Sequence, residues 1–542
     1  MDEKLKNADY DADKEDNDDV KNGVGEGQLT FMLVLCTATV SIGSSGEFGY
    51  NQGVITAPSV FIQAFINETY FERSGGKQLN DEALTWLWAT VVSIYCIGGA
   101  LGALAGGYWA DYFGRNRGLI YNNFISIVGS LLMGCCQIAG SPEMIIIGRF
   151  VIGFSVGMSL TIVPLYLSEI APFNLRGAIT TTHQLLITIG LLLAQVLGFF
   201  AFYDESTWPI VLGLSAVTGL IEFIVLPFCP ESPRWLLIKQ NQEEKAIAAL
   251  RLLRGVDDVV AEVDEMKLEH QHEDETEKVG VLDLLCLRDR TWLMPLLICV
   301  VLHGGQQLSG INAIIFYSTE LYQSAGMTDS QIAYATVGFG TLNVIVTIIS
   351  VLVVERLGRR PLLLYPFGML SVCLVGLTVS LALQEDNDWT KWMGLGFIYL
   401  YIIFFAIGPA PLPYVVSTEV WSQGPRPAAV SISIQVNWWA NFLVQLSFPS
   451  IQGAIDEYTF IIFIVFVVLT TLFIYIYLPE TKNRSFDEIV TGFRIKGKTQ
   501  ENVEHEIEDR YKAQSLANDD GKNGSDVEMR YSYVNRGQQT DE

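Results

Sequence analysis

Side-chain amides set in apolar surroundings are the residues of this chain best suited to handle a polar, uncharged ligand. Gln306, Gln307 and Asn312 lie within seven residues of one another. Gln184 stands in an earlier apolar stretch with Gln195 eleven residues on, Asn343 in a later one, and Asn437 beside Trp438 and one helical turn before Asn441. An amide both donates and accepts without carrying charge, so a set of them matches a neutral molecule with several hydroxyl groups. It also avoids the several kcal/mol of desolvation that an unpaired ion would incur away from water. Trp438 adds an aromatic plane able to stack on an apolar ring face. Against this stands a plainer role, since amides also join helices to one another, at about 0.6 kcal/mol on average in membranes.

Regular helix geometry does not bring these groups together. At 100° per residue, Gln306 and Asn312 point roughly 120° apart. Gly304, Gly305 and Gly310 surround them, and glycine permits the local unwinding that would re-aim them. Tyr317, eleven residues after Gln306, returns to nearly the same face. Pro409, Pro411 and Pro413 break the backbone ladder of a later stretch and mark a hinge or gate there, or else a static kink.

The elements that carry these residues are long and apolar. Half the chain is hydrophobic (50%) and only 17% is charged, against roughly 25% charged in soluble proteins, which excludes an ordinary soluble enzyme. Apolar spans fall near 29–50, 86–108, 118–139, 143–167, 178–203, 207–228, 292–323, 331–354, 361–384, 392–417, 428–452 and 457–478. Each is near the ~20 residues an α-helix needs to cross a bilayer. The expected fold class is therefore an all-α membrane protein with twelve transmembrane helices and the lipid bilayer as its surroundings. Basic residues concentrate in every second loop, which puts both termini inside. The acidic net charge of -25 sits mostly in the tails and the central loop; it argues against a nucleic-acid partner. The N-terminus lacks the basic and apolar regions of a cleavable signal, so the first span is expected to stay as an anchor. The eight cysteines have no metal-site or disulfide spacing, His183 and His303 are isolated, and no metal, cofactor or catalytic constellation is implied. Asn67-Glu68-Thr69 is a glycosylation sequon in the long first loop, expected outside.

A repeat organises the chain. Asp111 to Arg115 matches Glu355 to Arg360 at an offset of 244, Glu169 to Arg176 matches Glu419 to Arg426 at 250, and Pro230-Glu231 matches Pro479-Glu480 at 249. Two six-helix halves follow, 29–228 and 292–478, with a cytoplasmic helical linker at 229–291 and cytoplasmic tails at 1–28 and 479–542. Parallel halves with a site at their interface are the mark of a rocking-bundle transporter. Arg115, Glu169, Arg176, Glu231, Arg234, Glu355, Arg359, Arg360, Glu419 and Arg426 all lie at the cytoplasmic helix ends of this plan. Opposite charges that meet only when the inside is closed would form a latch; solvated ion pairs and topology signals are the alternative.

GYWADYFGRNR at 107–117, GRFVIGFSVG at 148–157, PESPRW at 230–235, QQLSGINAIIFYS at 306–318, ERLGRR at 355–360, GPAPLPY at 408–414, SQGPRPAA at 422–429 and PETKNRSFDEI at 479–489 resemble, in order, the motif set of the animal facilitative hexose transporters, sugar porters of the major facilitator superfamily. The resemblance covers about residues 29 to 495. It implies the major facilitator fold with two pseudo-symmetric halves, and exchange of D-glucose or related hexoses across the plasma membrane without an energy source. It also implies that Gln184, Gln306, Gln307, Asn312, Asn343, Asn437 and Trp438 contact the sugar, with Phe405 and Tyr414 as wall residues. Ala406 and Tyr414 depart from the Glu and Trp usual in glucose-selective members. Two further classes fit the residues. One is a proton-coupled symporter, for which Glu47 and Glu222 are intramembrane carboxylates although Asn51 stands where such relatives carry Asp. The other is a sugar sensor that does not transport.

Overall fold

A computed structural model describes residues 28–201, 206–274, 279–324, 326–383, 389–422 and 424–482; the acidic tails lie almost wholly outside this set, as does the side chain of Glu355. All regular structure among the described residues is helical. Ten helical stretches are long and apolar enough to cross a membrane. Two of the twelve expected spans do not stand as separate stretches in that count. Helices Arg426–Ile455 and Phe460–Tyr477 are joined by the short turn Asp456–Thr459 and run on as one stretch, Arg426–Tyr477. Helix Arg115–Gly134 carries its polar residues inward: Asn116, Asn122, Asn123, Ser126 and Ser130 are all buried. Asn122 Nδ2 there donates to the Ser155 carbonyl at 3.0 Å and to Ser159 Oγ at 2.8 Å, and Asn116 Nδ2 to the Cys229 carbonyl at 2.8 Å.

Helix Asp81–Phe113 packs against Glu143–Ile170 at the closest approach that backbones allow. A Cβ at Gly153 would press onto the Tyr95 carbonyl and one at Gly157 onto the Gly99 carbonyl. Small residues at such a crossing replace side-chain volume with direct backbone contact, which drives helix association in lipid.

Within the central segment the helices Pro233–Ile238, Glu243–Arg254 and Val260–Asp274 gather around a small apolar cluster that includes Trp235, Leu250 and Val263. Gly255 ends the second in the left-handed conformation at φ 71°, the usual helix stop. Several bonds tie this segment to the spans, among them two at helix C-termini. Thr30, which caps helix Phe31–Val40, donates to the Leu253 carbonyl at 2.7 Å, and Arg254 Nη1 donates to the Ile170 carbonyl at 2.7 Å. Each bond satisfies an orphan carbonyl in the last turn of a helix.

The sequence repeat reproduces itself in geometry. Glu231 accepts from the backbone amides of Arg115 and Asn116, each at 2.8 Å, and Glu480 accepts from those of Arg359 and Arg360 at 2.7 and 3.2 Å. Each carboxylate sits on the N-terminal turn of a helix, where free N–H groups and the helix dipole favour an anion.

Three of the apolar stretches are interrupted near the candidate residues. The first has a π-helical turn at Ser41–Ser45 between Phe31–Val40 and Gly46–Gly53. A second breaks at Gly310, whose φ of +89° separates Leu293–Leu308 from Ile311–Phe316; a side chain there would be strained and would meet the Phe463 ring. A third loses its ladder between Thr390–Ile407 and Leu412–Glu419, where Pro409 and Pro411 supply no N–H.

Candidate functional site

The break at Gly310 turns Asn312 back toward Gln307, and a continuous chain of amides results. Gln52 Nε2 donates to Asn312 Oδ1 at 3.1 Å, Asn312 Nδ2 to Gln307 Oε1, Gln307 Nε2 to Asn437 Oδ1 at 2.9 Å, and Asn437 Nδ2 to Gln306 Oε1 at 2.6 Å. Gln306 Nε2 ends the chain on the carbonyls of Pro409 and Ala410, at 2.7 and 2.9 Å. Those carbonyls are free because the helix around them is unwound. Five side chains from three helical stretches thus point their donors one way, from the first span through to the proline-rich break. No charged group takes part, and each amide retains donor or acceptor capacity beyond the bonds it makes. Such a relay can open to admit hydroxyl groups that both donate and accept.

Both sides of the proline break are tied to the helix that leads into the glycine break. Above it, Tyr401 donates from its hydroxyl to Ser309 at 2.9 to 3.0 Å and stacks on Phe405 at 6.2 Å. Below it, Tyr414 meets His303 edge-on at 4.8 Å, and Ser417 Oγ lies 3.1 Å from His303 Nε2. His303 Nδ1 is 3.5 Å from Asn437 Nδ2. A shift of the Leu412–Glu419 segment therefore moves groups that the amide relay touches.

The structure gathers Gln306, Gln307, Asn312 and Asn437 into one network and puts Phe405 and Tyr414 at its edge. Gln184 is half-buried and Asn343 buried, and neither has a hydrogen-bond partner among the described residues. Trp438 is turned to the other half of the chain: its ring lies 5.9 Å from Tyr95 and 6.3 Å from Phe48, and it covers Gly99. Asn441 and Tyr317 do structural work, the first accepting from Gln445 Nε2 at 2.6 Å, the second donating to the Gln445 carbonyl at 3.0 Å. Gln52 and His303 were missed by sequence reasoning. His303 stands three and four residues before Gln306 and Gln307, on the same helical face, so spacing alone could have found it; nothing in the sequence distinguishes Gln52.

The charged helix ends pair within each half. Arg115 grips Glu169 with two bonds of 2.9 Å, and Ser232 Oγ donates to the same carboxylate. Arg359 meets Glu419 at 2.9 to 3.1 Å, and Thr481 Oγ1 donates to it at 2.5 Å. Arg360 donates to the Tyr475 carbonyl at 2.8 Å, Arg426 to the Trp421 carbonyl at 3.0 Å, and Arg176 is exposed with its guanidinium 5.8 Å from the Phe173 ring. Arg234 lies within electrostatic reach of Glu169. The halves meet elsewhere: Thr56 Oγ1 donates to the Ile315 carbonyl at 3.2 Å, Thr319 Oγ1 to the Thr56 carbonyl at 3.1 Å, and Gln435 Nε2 to the Ala100 carbonyl at 3.0 Å. Asn67 falls in helix Ser59–Arg73 and is half-buried.

Residues 36–493 match the family model described as sugar (and other) transporter. The human solute carrier family 2, facilitated glucose transporter member 5 is 42% identical over 477 residues, covering 88% of this chain and 95% of that protein. The bovine solute carrier family 2, facilitated glucose transporter member 3 is 41% identical over 478 residues, with the same two coverages. Among solved structures, the partially occluded inward open conformation of the xylose transporter XylE from E. coli superimposes with a TM-score of 0.70 at 23% identity, over 84% of this chain and all of that one; at that identity the likeness speaks for the fold alone. Motifs, fold and relatives agree, and the chain belongs to the facilitative hexose transporters, sugar porters of the major facilitator superfamily.

Proposed function

We propose that this protein is a uniporter that lets glucose and related hexoses equilibrate across the plasma membrane by alternating access. The observation that carries the reading is the uncharged amide relay from Gln52 to the Pro409 carbonyl, slung between two interrupted helices. Gln306, Gln307, Asn312 and Asn437 exchange their mutual bonds for sugar hydroxyls, Gln184 and Asn343 close on the sugar from helices of opposite halves, and Phe405, Tyr414 and Trp438 wall the site. In the membrane the chain has twelve spans in two halves, both termini and the linker being cytoplasmic. Helix Arg115–Gly134 and the separate helices Arg426–Ile455 and Phe460–Tyr477 complete the number. With that orientation, contact through Thr56, Ile315 and Thr319 closes the outside, and the charge clusters, each paired within its own half, leave the inside open. Arg176 and Arg426, whose present partners are a ring and a carbonyl, are the groups free to cross to the other half when the inside closes; Glu355, Glu231, Arg234 and Arg360 frame the same ends.

Purified full-length protein in liposomes tests the function. Labelled glucose is expected to reach the external concentration and no more, in competition with fructose and galactose, and an imposed proton gradient should leave the endpoint unchanged. Accumulation above the external level on acidifying the outside would assign a symporter instead, because a ligand drives a cycle only if it binds its two states unequally. Topology is tested by expression in a glycosylating cell. A glycosidase-sensitive band that disappears in Asn67→Gln places the first loop outside, and a shift surviving that substitution refutes it.

A further inference from the structure

The first half of the chain buries two carboxyl groups that the amide relay does not use. Glu47 is 2% exposed and Glu222 is fully buried, and they lie close enough to act on each other electrostatically. Hydroxyls are their donors: Ser126 Oγ donates to Glu47 Oε1, the Ser215 hydroxyl lies against the same group, and Ser44 Oγ donates to Glu222 Oε2 at 2.8 Å. Glu222 Oε1 has no partner, and Asn123, fully buried and set against Glu222, makes no well-formed hydrogen bond through either amide atom.

Neither carboxyl forms an ion pair among the described residues. Arg149, also fully buried, donates through Nη1 to the Asn51 carbonyl at 2.8 Å and lies 4.4 Å from the Tyr95 ring centre, with Nε and Nη2 unpartnered. The other titratable groups facing this region are uncharged in their ordinary state. They are Tyr95 and Cys96 from helix Asp81–Phe113, Tyr50 from the first span, Cys229 beyond helix Ser215–Val225, and His183 from helix Arg176–Ala201, whose Nδ1 lies 2.7 Å from Ser45 Oγ. Helix Arg426–Ile455 faces this region with the amide of Gln445, against Cys96, and the ring of Trp438, against Tyr95. The interior thus contains one fixed positive charge and two acids. Glu222 packs onto Gly43 and Ser44, one helical turn before Glu47, so the two acids are neighbours that cannot both ionise without a compensating cation, and the region is electrically neutral when the pair carries one negative charge.

We propose that Glu47 and Glu222 form a proton-binding site, sharing one resident proton that neutralises the interior of the first half together with Arg149. The site sits on the π-helical turn Ser41–Ser45. Glu222 holds Ser44 and packs onto Gly43, where no Cβ would fit, while Thr182 and His183 hold Ser41 and Ser45. π-turns of this kind recur at functional sites. This one joins the start of the first span to the segment carrying Gln52, so the charge of the pair bears on the geometry of the sugar relay. The proton is a fixed constituent of the carrier and is not transported with the sugar, so the inference goes beyond uniport.

Infrared spectroscopy of the full-length wild-type protein at neutral pH reads the proton directly, whatever sugar is carried. A C=O stretching band of a protonated carboxyl group is expected, shifting on exchange into heavy water. It should vanish in Glu47→Gln and in Glu222→Gln, since the remaining carboxylate then ionises against Arg149. Absence of the band from wild type, or its survival in either variant, overturns the shared proton; the wild-type spectrum decides even if a variant fails to fold. Equilibrium glucose exchange at equal pH on both sides should fall several-fold at alkaline pH in wild type and stay flat in Glu222→Gln. Superimposable profiles overturn the link to transport.

Discussion

Asn437→Ala weakens glucose binding by about 1–3 kcal/mol, the usual result of leaving buried partners unsatisfied, or roughly fivefold to 150-fold in Kd. Asn437 is the only side chain in the relay that joins Gln306 to Gln307, accepting from one and donating to the other at 2.9 and 2.6 Å. Its truncation strands a buried donor and a buried acceptor and releases Gln306 from the helix opposite. The matched control is Asn441→Ala. That residue lies one turn further along the same helix and bonds to Gln445, outside the relay, so glucose affinity should stay within about twofold. Equilibrium binding to the purified variants, with thermal unfolding to establish that each is folded, separates the two. Equal affinities in Asn437→Ala and wild type would remove helix Arg426–Ile455 from the site.

The helical membrane character of the chain was legible because hydrocarbon thickness imposes span length on the sequence. The repeat was legible because Arg115, Glu169 and Glu231 recur as Arg359, Glu419 and Glu480 at nearly one offset, and the recurrence turns out to be one set of bonds made twice. Helix Arg115–Gly134 was harder to size, its polar residues being turned against neighbouring helices. The amides were visible as residue types, and their failure to converge on an ideal helix was computable. What spacing could not supply was the sense of the turn at Gly310, which depends on a positive φ and on the Phe463 ring lying against that glycine. Gln52 was invisible for a related reason: it joins the relay through a partner 260 residues away. The direction of Trp438 was not legible either: adjacent residues on a helix point about 100° apart, and its ring lies beside Tyr95 and Phe48 of the other half. The charges at the helix ends were placed by sequence, but which half each would bond to depends on the state of the carrier, and one sequence serves both states.

That distinction yields the largest effect expected here. Arg115 and Glu169 are joined by two bonds, with side chains only 8% and 6% exposed. Arg359 and Glu419, their repeat mates, are 18% and 26% exposed. Removing one member of a buried pair leaves Glu169 away from water with its guanidinium partner gone and only the Ser232 hydroxyl still donating to it, and Arg115→Ala should destabilise the protein by about 3–5 kcal/mol. Arg359→Ala exposes Glu419 to a wetter setting, where Thr481 still donates to it; the loss should be about 1–3 kcal/mol, that of hydrogen bonds to a charged group. Arg115→Lys should recover part of the loss, since the ammonium restores the charge without the two-pronged fit of the guanidinium. Thermal unfolding of the three purified variants in one detergent measures the order. Because each pair is internal to its half, the ranking should be the same with and without saturating glucose. Equal losses at Arg115 and Arg359 would mean that burial does not set the strength of these clusters. A loss at Arg115 that glucose abolishes would mean that the pair is broken in the sugar-bound state, and the cluster would then act between states of the carrier, not as a fixed clasp of one half.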